Sequence, residues 1–123
     1  MHRVLIIDDE DDIREVAALS LEATAGWTIY TASSGKAGIA EAAKEQPEAI
    51  LMDVMMPEMD GPTTFAELQR NPSTAGIPVI LLTAKVQGVD QRRFAGLGVA
   101  AVLFKPFDPL TLAQQICDVL GWA

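Results

Sequence analysis

Short runs of consecutive apolar residues punctuate this chain, and each stops on a polar residue. Val4-Leu5-Ile6-Ile7 runs into Asp8-Asp9, Ala49-Ile50-Leu51-Met52 into Asp53, Val79-Ile80-Leu81-Leu82 into Thr83, and Val102-Leu103-Phe104 into Lys105. Unbroken apolar runs of strand length are the pattern of strands covered on both faces. Between them the apolar positions recur at helical spacing. Asp11 to Thr24 carries Ile13, Val16, Ala17 and Leu21, and Gly26 breaks it before a short β-rich run from Trp27 to Thr31. Ser34 is placed to cap a second helix carrying Ala37, Ala40 and Ala43, which ends before Pro47. After a loop from Val54 to Gly61, Pro62 suits the first turn of a third helix with Phe65 and Leu68 inward, closed by Asn71-Pro72-Ser73. The pattern predicts a fourth helix from about Gln87 to Leu97, stopped at Gly98, and a last one started by Asp108-Pro109 with Leu112, Ala113, Ile116 and Leu120 as its stripe.

Strand and helix alternating in this way predict an α/β sandwich, a parallel sheet with helices on both faces. Right-handed crossovers and one reversal of winding give a flavodoxin-like, doubly wound five-stranded sheet of order 2-1-3-4-5. Parallel strands end on one edge, and ligands bind in the crevice outside it, at the switch point between the first and third strands. Asp8, Asp9 and Asp53 converge there, with the Thr83 hydroxyl and the Lys105 amine.

At 123 residues the chain is long enough to bury one core without staples. Half of it is apolar, which excludes a disordered chain. No apolar run approaches the roughly 18 residues of a membrane span, and Met1-His2-Arg3 leads into a strand rather than a signal peptide, so the expectation is a cytoplasmic protein without membrane insertion. A single cysteine, Cys117, rules out an internal disulfide framework and falls in an amphipathic stretch, where a buried thiol is expected. Seventeen acidic residues against nine basic ones, with no basic stripe, argue against direct nucleic-acid binding.

Carboxylates gathered at one edge repel, and a hard divalent cation relieves this. Mg²⁺ takes oxygen ligands and keeps several waters, whereas zinc would call for the histidine or CxxC clusters that the sequence lacks. A carboxylate at a strand end can attack phosphorus, which gives Asp53 a nucleophilic role. Thr83 and Lys105 would then stabilise the oxygens of the transferring group.

With these residues in view, the chain resembles a receiver domain of two-component response regulators, of the single-domain chemotaxis type, over essentially its whole length. The resemblance rests on Val4 to Glu10, Leu51 to Gly61 (Leu-Met-Asp-Val-Met-Met-Pro-Glu-Met-Asp-Gly), Pro78 to Ala84 and Phe104-Lys105-Pro106-Phe107. It implies that Asp53 accepts a phosphoryl group from a sensor histidine kinase or a histidine phosphotransfer protein and signals to a downstream protein partner. It further implies that Asp9, Asp53 and the Met55 backbone carbonyl bind Mg²⁺ directly, with Asp8 acting through water, while Thr83 and Lys105 contact the phosphoryl oxygens. Such domains usually carry an aromatic residue or His three positions before that lysine; here it is Val102, which leaves Phe104 as the nearest aromatic. Residues 1–123 are expected to be one receiver domain with no output domain. Two other classes fit the sequence less well. An aspartate-nucleophile phosphatase wants a second Asp two residues after the first, where Met55 stands, and a flavodoxin-like cofactor module wants a Ser/Thr/Gly-rich first loop, which is acidic here.

Three finer expectations follow from the same reading. The Lys105-Pro106 bond is cis, so that the lysine turns into the pocket. Partners dock around Ile13, Arg14, Pro106 and Phe107, above the strand ends. Met55 and Lys85 overhang the position of an attacking water, and neither is a base.

Overall fold

A computed structural model describes residues 2–84, 92–94 and 96–122. The elements run β1 (Arg3–Ile7), α1 (Asp11–Ala25), β2 (Thr28–Ala32), α2 (Gly35–Glu45), β3 (Ala49–Asp53), α3 (Gly61–Arg70), β4 (Val79–Ala84), β5 (Ala101–Lys105) and α4 (Leu112–Leu120). All neighbouring strands are parallel and the order is β2-β1-β3-β4-β5, the expected flavodoxin-like winding.

Period-two alternation along each central strand divides its side chains between two cores. On one face Leu5, Ile7, Ile50, Met52 and Leu81 pack with Phe65 and Leu68 of α3 and with Phe94. On the other, Val4, Ile6, Leu51, Ile80 and Leu82 pack with Ala17 and Leu21 of α1 and Leu112 and Ile116 of α4. Covering on both sides explains why the strand sequences are apolar without alternation. The edge strand β5 is only half-buried, and Phe104 is 41% exposed.

The local signals act much as the residues dictate. Ser34 Oγ accepts from the Ala37 N–H at 3.1 Å, Asp60 caps α3 through the Thr63 N–H at 2.8 Å, and Pro62 sits in that helix's first turn. Gly26 ends α1 in the left-handed region at φ 69°. Gly98 likewise has φ +99°, but most of the expected fourth helix lies outside the described residues; only 92–94 appear as a helical turn.

Two helix faces differ from expectation. In α2 the buried positions are Gly35, Gly38 and Ala42, whereas Ala37, Ala40 and Ala43 face solvent. Gly38 is the reason for the rotation: a Cβ there would collide with the Ile7 side chain, so the helix lies against β1 by its glycine. In α1, Val16 is 45% exposed, leaving Ala17 and Leu21 as the buried stripe. The last helix also starts later than Asp108-Pro109 suggests. Asp108 Oδ1 instead accepts from the Leu110 N–H at 2.9 Å in a local turn, and the helix begins at Leu112. Cys117 is a partly buried free thiol packed on the α1 and α4 side, and burial, with Asp118 beside it, pushes its pKa up.

At the sheet end remote from the acidic edge, His2 stacks on Trp122 at 3.9 Å and meets Trp27 edge-on at 5.6 Å, while its Nδ1 lies 2.6 Å from Glu48. This ties the start of β1 to the residues after α4.

Candidate active site

Strand register assembles the pocket. Ile7 pairs with Met52, Asp53 with Leu82, and Ala84 with Lys105. Asp8, Asp53, Thr83 and Lys105 therefore reach the same edge within about one residue of each other. Asp8 and Asp53 are buried, at 1% and 4% exposure. The Lys105 Nζ lies 3.0 Å from Asp8 Oδ2, 3.2 Å from Asp53 Oδ1 and 3.2 Å from Glu10 Oε1. One ammonium thus faces three carboxylates. The Lys105-Pro106 bond is cis, as expected.

The charge balance leaves Asp53 poised. Burial, followed by the negative charge of Asp8, raises its pKa from 3.8 to about 6; Lys105 opposes the rise, and the Asp9 carboxyl adds to it. Burial alone would lower the pKa of Lys105, but Asp8 and Asp53 together outweigh that and raise it, so the ammonium stays charged.

Carboxylate oxygens of Asp8, Glu10 and Asp53 lie within 4.8 Å of one another. Three buried side-chain oxygens make no hydrogen bond among the described residues: Asp8 Oδ2, Asp9 Oδ1 and Thr83 Oγ1. Asp8 Oδ2 still has the Lys105 charge at 3.0 Å, without hydrogen-bond alignment. Buried acceptors of this kind normally have partners, and a hard divalent cation with its waters would satisfy two of them. The residues present fit such an ion.

Of the expected residues, the structure brings Asp8, Asp53 and Lys105 into direct contact and places Thr83, fully buried, at the neighbouring strand end. Met55 is 75% exposed and shares with Thr83, Asp60 and Phe94 a cleft of about 210 Å³. Glu10 joins the carboxylate cluster, a role not among the sequence expectations; its position directly after Asp8-Asp9 is the signal for it. Backbone geometry closes the site from behind: a Cβ on Gly61 would lie 2.7 Å from the Asp53 carbonyl oxygen. Only glycine lets α3 begin against the acceptor strand. Ile13, Pro106 and Phe107 line an apolar cleft of about 230 Å³ beside Lys105, together with Val16 and Pro109. Arg14 does not line this cleft; its guanidinium turns toward the β1–α1 turn beside the acidic pocket.

The model of the response regulator receiver domain matches residues 4–117. Over 120 residues the chain is 41% identical to the DNA-binding dual master transcriptional regulator RpaA of Synechocystis sp., covering 98% of this chain and 49% of that protein. The chain thus spans about half the length of that relative. The chemotaxis protein CheY4 of Vibrio cholerae superposes with a TM-score of 0.89 at 29% identity, over 97% of this chain and 98% of that one. A putative response regulator from Chloroflexus aurantiacus J-10-fl gives 0.87 at 31% identity, over 98% of each.

Proposed function

The chain belongs to the response regulator receiver domain family, and from that membership we propose that Asp53 takes a phosphoryl group from the histidine of a sensor kinase or of a phosphotransfer protein. The observation that supports this most is the Lys105 ammonium 3.2 Å from a buried Asp53 carboxylate, at the strand edge shared with a Thr83 hydroxyl that has no hydrogen bond among the described residues. In the transfer an Asp53 carboxylate oxygen attacks phosphorus in line and the bond to the donor nitrogen breaks, leaving the donor imidazole and an acyl phosphate. Thr83 and Lys105 donate to the oxygens on which charge accumulates. Asp8, Asp9, Asp53 and the Met55 carbonyl would hold Mg²⁺, which supplies further neutralisation of that charge when bound. Glu10, within the same cluster, is a candidate outer ligand.

This is a signalling domain rather than a classical enzyme, although on this reading its own side chains assist both gain and loss of the group. The donor protein docks on the cleft of Ile13, Val16, Pro106 and Phe107, since only the surface above the strand ends gives in-line access. The output is a protein partner in the cytoplasm, read from the face around β5. Among the described residues no helix is long and apolar enough to cross a membrane. RpaA is a DNA-binding regulator by name, but the proposed role of the residues here is confined to phosphoryl chemistry and protein contact.

Phosphotransfer tests the reading. A labelled kinase or phosphotransfer protein should lose its group to this chain only with Mg²⁺ present, and Asp53→Asn should stop the transfer. Transfer in excess EDTA at the full rate would contradict it.

A further inference from the structure

We propose that Arg14 is a positioning residue for the metal-binding carboxylates, acting by clamping the β1–α1 turn; the proposal rests on the reading of the pocket as a Mg²⁺ site. Arg14 Nη1 donates to the Asp8 backbone carbonyl at 2.7 Å, and Nη2 donates to Asp11 Oδ1 at 2.6 Å. Its own N–H donates to the Glu10 carbonyl at 3.0 Å. The guanidinium fork therefore spans the turn that carries Asp8, Asp9 and Glu10, and its side chain is only 19% exposed.

Two more bonds complete the brace. The Asp8 N–H donates to the Ala32 carbonyl at 3.1 Å, and the Glu10 N–H donates to Asp8 Oδ1 at 2.9 Å. With the Asp8 carbonyl held as well, three successive peptide units, Ile7-Asp8, Asp8-Asp9 and Asp9-Glu10, are each held by one hydrogen bond. Those units determine where the Asp9 carboxylate goes, and Asp9 Oδ1 is one of the buried oxygens without a hydrogen bond among the described residues. Holding such a group in place before the ion arrives removes an ordering cost from binding. Outer partners of metal ligands typically act in this way.

Charge alone gives the opposite expectation. Arg14 is a cation on the loop that bears the carboxylates, so its field disfavours a divalent ion, and removing it should tighten binding. Geometry says that removing it weakens binding. The sign of the change separates the two.

The test is isothermal titration of Mg²⁺ into the full chain at pH 7.5 for wild type, Arg14→Met and Arg14→Lys, with thermal melts in EDTA. Arg14→Met should weaken Mg²⁺ binding by about 10-fold or more while remaining folded at the titration temperature. Arg14→Lys keeps the charge but cannot bridge Asp8 and Asp11 as a fork does, so its affinity should fall between the two. If Arg14→Met does not fold, weakened binding in folded Arg14→Lys carries the same conclusion, because the charge there is unchanged. Equal or tighter binding in the folded variants overturns the role of Arg14. A wild-type chain that binds no Mg²⁺ overturns the underlying reading of the pocket, a result distinct from the first.

Discussion

Lys105 reaches Asp53 from the far edge of the sheet, with Nζ 3.2 Å from Oδ1, and the same ammonium lies 3.0 Å from Asp8. It is the central counter-charge for a cluster that would otherwise hold three carboxylates. Lys105→Met should therefore destabilise the metal-free protein by about 3 kcal/mol, the usual scale for removing one partner of a buried ion pair. Millimolar Mg²⁺ should recover much of that loss. Urea denaturation with and without Mg²⁺ measures both, and equal stabilities for wild type and variant in EDTA would contradict the expectation.

The raised pKa of Asp53, about 6, has consequences of opposite sign for function and stability. Asp53 must be ionised both as nucleophile and as metal ligand, so at sub-saturating Mg²⁺ labelling by a small phosphodonor should fall as pH drops below about 6, where the proton competes with the ion for its carboxylate. For stability, the folded chain binds the Asp53 proton more tightly than the unfolded chain does. The group's contribution therefore improves as pH falls from about 6 toward 4 and is least favourable above 6. Asp53→Asn removes the buried charge and should stabilise the metal-free protein at pH 7.5, by up to about 3 kcal/mol. The advantage should shrink at pH 5. Denaturation in EDTA at the two pH values decides, and a variant less stable at pH 7.5 would count against it.

Which features were legible in the sequence depends on whether the chemistry is written along the chain or across it. The strands and the convergence of Asp8, Asp53, Thr83 and Lys105 were readable because buried parallel strands are uniformly apolar and their ends share an edge. The buried face of α2 was not, since Ala and Gly differ little in hydropathy and the deciding contact, Gly38 against Ile7, crosses between elements. Val16 fits the helical spacing of α1 yet remains exposed at the rim of the cleft beside Lys105. Glu10 had a signal, its position directly after Asp8-Asp9, but the contact of Arg14 with the Asp8 carbonyl had none. It depends on how the β1–α1 turn folds back, and no local pattern of residues announces that path.

Thr83 and Phe104 occupy paired positions on β4 and β5. Val102 lies on the same face as Phe104 and is too small to act as a rotating ring, while Phe104, at 41% exposure, has room to move. Beryllofluoride with Mg²⁺ should draw Thr83 toward the acceptor and shift amide NMR signals at Thr83 and along β5. A bound group biases such an equilibrium only through contacts that differ between the states. Phe104→Leu should remove most of the β5 shifts. Full retention of them would place the coupling in the backbone after Ala84 instead.

Persistence of the phosphoryl group should be long. Met55, exposed in the cleft it shares with Thr83, is no base; Lys85, expected like Met55 to overhang the attacking-water position, lies outside the described residues. Met55→Asn combined with Lys85→Glu should speed hydrolysis by roughly 10-fold, less than a well-placed general base achieves. The decay of radiolabel after removal of the donor gives the rate, and a slower or unchanged decay in the double variant would refute the expectation.

The proposed role of Asp53 is tested most directly by locating the phosphoryl group. Acetyl phosphate and Mg²⁺ are added to the full chain, the acyl phosphate is trapped by borohydride reduction, and the modified residue is mapped by mass spectrometry. The expected result is one modified position, Asp53, with labelling lost in EDTA and in Asp53→Asn. Labelling at full yield in Asp53→Asn, or mapped to Asp8, Asp9 or Glu10 in the wild-type chain, would contradict it.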